Sequence, residues 1–233
     1  MLVDIFSAFD EHNFTFFSMT LFMWLMAFFP LLLLQSSFWC HPSRWEASFL
    51  APKNFISMQV FRSFGLKLSG FLGIVCSLFL LLIIFNLTGL FPYVFSVTSH
   101  LIFSFSLAFP FWLSLICSGV IFNPSEVAAH LLPSGAPAVL NPFLVLIETV
   151  SISVRPVTLC VRLTANMSAG HIILGLIGTY LSSGIFMYSG VTVGLLVIVQ
   201  IFYFLFEIGI CMIQAYIFCL LVILYSDDHP DSQ

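Results

Sequence analysis

Residues 148–171 hold a glutamate, two arginines, an asparagine and a histidine inside a long apolar run. An ionisable group at membrane depth costs roughly 2.5–3.5 kcal/mol on insertion scales, so it faces a partner or a wet cavity and marks a functional site. On a helix of about 3.6 residues per turn, Glu148, Arg155 and Arg162 fall at sevenfold spacing. Such a stripe drifts only about 20° per step. Asn166, one turn beyond Arg162, joins it. Ser151, Thr158, Ala165 and Ala169 share the face around Arg162, and small residues let another helix come close. His171 points to the opposite side. A second stripe further on comprises Gln200, Glu207 and Gln214, with Tyr203 and Tyr225 near the same line.

An arginine does not deprotonate in a protein. Arg162 therefore repels cations and stabilises a carboxylate, but passes no proton. A carboxylate within about 4–6 Å of it is favoured in its charged form, and burial away from it favours the protonated form. A fixed arginine passed by a moving carboxylate is thus a proton-release device with a built-in barrier. Glu148, His171 and Glu207 can accept and donate protons and suit relays. Asn166 and Gln214 are amides and suit a hydrogen-bonding network rather than proton carriage. Plainer readings stand beside these. Arg162 could tie two helices together through Glu148 or Glu207. Arg155 reads as a structural or snorkelling charge. His171 could be a hydrogen-bonded core histidine, and His100 and His130 read as interfacial. The residues alone leave these alternatives open.

Long helices must carry these groups. The chain has 233 residues, of which 61% are hydrophobic and 7% charged. It is expected to be an all-α integral membrane protein in one membrane domain. Apolar runs place crossings at 14–34, 68–87 and 100–122. Two longer segments, 143–182 and 190–225, follow. A 40-residue helix is about 60 Å long, twice the roughly 30 Å of hydrocarbon. These two are expected to form a steeply slanted hairpin, with its turn at Ser182-Ser183-Gly184 and a bend at Pro156. Residues 41–67 carry Arg44, Lys53, Arg62 and Lys67 among Trp45, Phe49, Phe55, Met58 and Phe61. They read as an amphipathic segment on the inner membrane surface. The N-terminus is then outside and, after five crossings, the C-terminus inside. Residues 123–142, rich in proline, read as an inner loop.

The same composition excludes other classes. Net charge is −4 with no basic stripe, so nucleic acid is not an expected partner. There is no Gly-rich phosphate loop, His pair or Cys/His cluster, so no nucleotide, cofactor or metal is expected. The six cysteines include no Cys-x-x-Cys pair, and the five in apolar segments read as small hydrophobes. The first 13 residues carry Asp4, Asp10 and Glu11 and no basic residue, which predicts insertion without a cleaved address.

The run Val161-Arg-Leu-Thr-Ala-Asn-Met-Ser-Ala-Gly-His171 closely resembles the signature of the F-type ATP synthase subunit a family. Asn86-Leu-Thr-Gly-Leu-Phe-Pro92 is similar to that family's Asn-Leu-x-Gly-Leu-x-Pro. His130-Leu-Leu-Pro, Pro142, Ile147-Glu148-Thr, Glu207-Ile and Ile213-Gln-Ala-Tyr216 fit as well. The resemblance implies a non-catalytic proton-channel subunit in the mitochondrial inner membrane. Its N-terminus would lie in the intermembrane space and its C-terminus in the matrix. Its implied partners are the lipid bilayer, a ring of c subunits each bearing a membrane carboxylate, the peripheral stalk and other membrane subunits. Arg162 matches the arginine separating two offset half-channels. His171 and Glu207 match the pair on the intermembrane side, and Glu148 and Asn166 match polar positions on the matrix side. The His171/Glu207 order is the mitochondrial one. The alternative is a stand-alone secondary ion transporter or channel, which predicts inverted repeats or paired broken helices; neither is evident. A third reading is a structural subunit whose charges only tie helices together.

Overall fold

The computed structural model describes residues 28–29, 44–91, 94–131, 140–227 and 229. Within them the regular structure is entirely helical. The helices are α1 (Arg44–Arg62), α2 (Phe71–Gly89), α3 (Leu101–Phe122), α4 (Pro124–His130), α5 (Asn141–Met187) and α6 (Gly190–Asp227), with short 3-10 turns at Phe64–Lys67 and Val97–Ser99. Four of them, α2, α3, α5 and α6, are long and apolar enough to cross a membrane. The chain is an all-α integral membrane protein. The expected crossing at 14–34 lies outside the described residues, apart from Phe28 and Phe29.

Helix boundaries follow local chemistry. α3 and α5 run on through Pro110 and Pro156, as membrane helices can where neighbouring groups satisfy the carbonyls that proline leaves unpaired. The expected inner loop contains α4. Proline occupies its first turn, where a missing N–H costs nothing, and Ser125 Oγ donates to Asn123 Oδ1 at 2.8 Å.

The hairpin turn is not where its serines suggested. Ser182 and Ser183 hydroxyls donate to the Thr179 carbonyl at 2.9 and 3.0 Å. Such back-bonding satisfies a hydroxyl inside a helix, and α5 continues to Met187. The break comes at Tyr188-Ser189. The Tyr188 N–H closes the last turn on the Gly184 carbonyl at 2.9 Å, and the Ser189 carbonyl accepts from the Thr192 N–H at 3.0 Å and the Thr192 hydroxyl at 2.7 Å. At 47 and 38 residues, α5 and α6 are about 70 and 57 Å long. Both exceed the roughly 30 Å hydrocarbon core.

The chain divides into two compact units. The first contains residues 81–100 and 163–215. Its core sets Leu90, Met167 and Cys211 against Leu87, Leu174 and Ile208. The second contains residues 47–80, 101–162 and 216–233. In it, Ile56 and Val60 of α1 are fully buried, while Phe55, Met58 and Phe61 are exposed. Ala108, Pro156, Leu159, Phe218 and Val222 surround a small void. Cys160 Sγ approaches the Ser104 carbonyl at 3.5 Å and Cys219 Sγ the Val75 carbonyl at 4.0 Å. Cys76, Cys160, Cys211 and Cys219 are buried and, among the described residues, in no disulfide, as small hydrophobes are.

Candidate functional site

Residues 190–215 of α6 belong to the first unit. Seven-residue spacing puts Glu207 and Gln214 on one face, and both are buried; only 1% of Glu207 is exposed. Gln200, at the N-terminal end of that stripe, is half-buried. A buried carboxylate needs space and partners. Gly170 of α5 supplies the space: a side chain there would overlap the Glu207 carboxylate. Tyr203, one turn before Glu207, interacts with the same carboxylate. Glu207 Oε1 is buried and has no hydrogen-bond partner among the described residues. His171, next to Gly170, is half-buried.

One turn further along, Asn166 Nδ2 donates to Gln214 Oε1 at 3.0 Å, linking α5 to α6. Asn86, fully buried on α2, donates from Nδ2 to the Cys211 carbonyl at 3.4 Å. Cys211 Sγ lies 3.6 Å from Met167 Sδ. The first unit therefore gathers Asn86, Asn166, Tyr203, Glu207 and Gln214. Asn86 and Gly170 lie within the runs 86–92 and 161–171, where spacing alone gives neither a site role. The available signals were a glycine within a helical run and an amide at a buried helix end.

In the second unit, the expected single stripe resolves into separate pieces. Arg155 Nη2 lies 3.7 Å from Glu148 Oε1. Its guanidinium lies over the Tyr225 ring, 5.4 Å from the centroid. Glu148 is thus matched with Arg155 and not with Arg162. Arg162 is exposed, and so are Ser151 and Thr158; Ala165 and Ala169, which belong to the first unit, are exposed there. Each of the small residues that spacing groups with Arg162 is therefore exposed, as Arg162 is. Among the described residues Arg162 makes no ion pair. The drift of about 20° per seven residues, together with the reach of arginine, lets neighbours in one stripe turn to different partners.

The sequence profile of the family described as ATP synthase A chain matches residues 6–227. The chain belongs to that family. ATP synthase subunit a of Drosophila melanogaster is 42% identical over 233 residues, covering 98% of this chain and 99% of the fly protein. That of Aedes aegypti is 39% identical with the same coverage. That of Albinaria caerulea is 40% identical over 232 residues, covering 99% of this chain and 100% of its own length. The matched region of the A chain family contains all of α1 to α6, and with them both polar clusters and the Arg162 face. Family and apolar helices together give this chain a role in the membrane part of ATP synthase.

Proposed function

We propose that the chain is the proton-translocating stator subunit of a rotary ATP synthase. It forms two offset half-channels that deliver protons to, and take them from, the carboxylates of a c-subunit ring. The observation that carries this reading is Arg162. It is a permanent charge exposed within an unbroken 47-residue membrane helix, among small exposed residues that leave room for a neighbouring helix. A ring carboxylate arriving there is favoured as the anion and gives up its proton; leaving into lipid, it takes one up. The same charge repels protons passing directly between the half-channels.

His171 and Glu207 act on the outer path. Glu207 is buried, with one oxygen open to a further donor, as a group that alternately binds and releases a proton needs to be. Glu148 acts on the inner path. Asn166 and Gln214, joined by their hydrogen bond, hold α5 and α6 together beside these groups and carry no protons themselves. The 1–233 chain acts as one membrane domain, with α1 lying on the inner surface on its exposed Phe55, Met58 and Phe61. Its setting is the mitochondrial inner membrane, N-terminus in the intermembrane space and C-terminus in the matrix, against the c-ring, the peripheral stalk and other membrane subunits. A proton crossing about 100 mV yields roughly 2.3 kcal/mol, so several are coupled per ATP. A ring that collects them stepwise meets that need.

The test is Arg162→Ala in the assembled complex. Proton-driven ATP synthesis is lost while ATP hydrolysis by the catalytic head persists. Normal synthesis by that variant would reject the role.

A further inference from the structure

Arg155 has no part in the mechanism above, yet its surroundings are specific. Within the second unit, a cavity of about 230 Å³ is bounded by Trp112 and Ile116 of α3 and by Glu148, Arg155, Tyr225 and His229. His229 Nε2 is itself held 3.1 Å from Ser118 Oγ. A cavity of this size with four polar groups has room for several waters. A lone arginine in a membrane helix snorkels toward the nearest interface. Arg155 instead meets Glu148 on its own helix at 3.7 Å and Tyr225 on α6 at 5.4 Å. Contacts from two helices fix the guanidinium. Because it cannot lose its proton, it cannot relay one. The Glu148 contact is longer than a direct hydrogen bond, which leaves the carboxylate oxygens able to bond water.

We propose that Arg155 is a positioning residue for the inner path: braced on Tyr225, it tethers the Glu148 carboxylate at the wall of the water-holding cavity. This rests on the reading of Glu148 as an inner-path proton carrier. A carboxylate that exchanges protons with water must stay within hydrogen-bond reach of it, and an untethered glutamate samples many rotamers that do not. Lysine would keep the charge but lose the planar stacking and the fork.

A double-mutant cycle tests this in intact complexes in membrane vesicles, with the initial rate of ATP-driven proton transport normalised to assembled complex. Arg155→Gln is expected to slow transport about fivefold, a size typical of coupling between contacting residues, and Arg155→Lys to recover part of the loss. In an Glu148→Gln background, Arg155→Gln is expected to slow transport no further. A wild-type rate in Arg155→Gln, or an equal slowing with and without Glu148, would overturn the tether. A wild-type rate in Glu148→Gln would instead remove the inner-path reading on which the tether depends. Should Arg155→Gln not assemble, Tyr225→Leu takes its place in the same cycle. It is expected to slow transport only where Glu148 is present, and equal slowing in both backgrounds would again overturn the proposal.

Discussion

The carboxylate of Glu207 on α6 is seated against the bare Cα of Gly170 on α5. The two residues are far apart in sequence, and the seat exists only because one helix presents hydrogen where any other residue presents carbon. It brings a buried acid alongside the His171 position without the two helices parting. Adding a methyl forces either the carboxylate or the helix to move. Gly170→Ala is therefore expected to destabilise the first unit by about 1–3 kcal/mol, as overpacking does. It should also slow proton transport. Thermal melting of the purified complex and vesicle acidification check the two effects separately.

Replacing Glu207 by glutamine keeps shape and hydrogen bonding but removes the titrating group. Synthesis driven by an imposed pH gradient is expected to fall by about a hundredfold or more, the scale of losing one positioned proton-transfer group. Complex assembly is expected to be unchanged. Undiminished synthesis would show that Glu207 fills a structural place only.

The two long helices were legible because their apolar runs have no strong break, and an apolar run needs only length to declare itself. The hairpin turn was misplaced because Ser-Ser-Gly is turn chemistry in water. Inside a membrane helix the Ser182 and Ser183 hydroxyls bond back to Thr179 and the helix continues. Spacing correctly grouped Glu207 with Gln214, and it grouped Arg162 with small residues that are likewise exposed. It did not separate Glu148 and Arg155 from Arg162, since a shared stripe says nothing about which neighbour a long side chain reaches. Nor could it find the Gly170 seat or the Asn86 contact with Cys211, both of which depend on a second helix.

The Asn166–Gln214 hydrogen bond joins α5, where Asn166 is half-buried, to the buried Gln214 of α6. Such bonds between membrane helices are worth about 0.6–2 kcal/mol. Asn166→Leu is expected to lower the melting temperature by leaving the Gln214 carbonyl unpaired, and adding Gln214→Leu to restore part of it. If the double variant melts at the sum of the single losses, the bond contributes nothing of its own.

Gly184 sits beneath the Tyr188 ring at the end of α5, leaving too little room for a Cβ. Gly184→Leu is expected to displace Tyr188 and loosen the turn into α6. Protease cleavage at residues 188–189 should then accelerate in the detergent-solubilised complex. Unchanged cleavage would mean that the ring's seat does not set the turn.

The account turns on Arg162 facing another chain. The most direct measurement places a cysteine at Ala165, which is exposed on the same face, with the exposed Cys117 replaced. A second cysteine goes beside the carboxylate on the ring helix. Mild oxidation of the assembled complex is expected to join the two chains and stop proton-driven synthesis, with reduction restoring it. Failure to cross-link at Ala165 and at every other position of that face, in a fully active complex, would contradict the account.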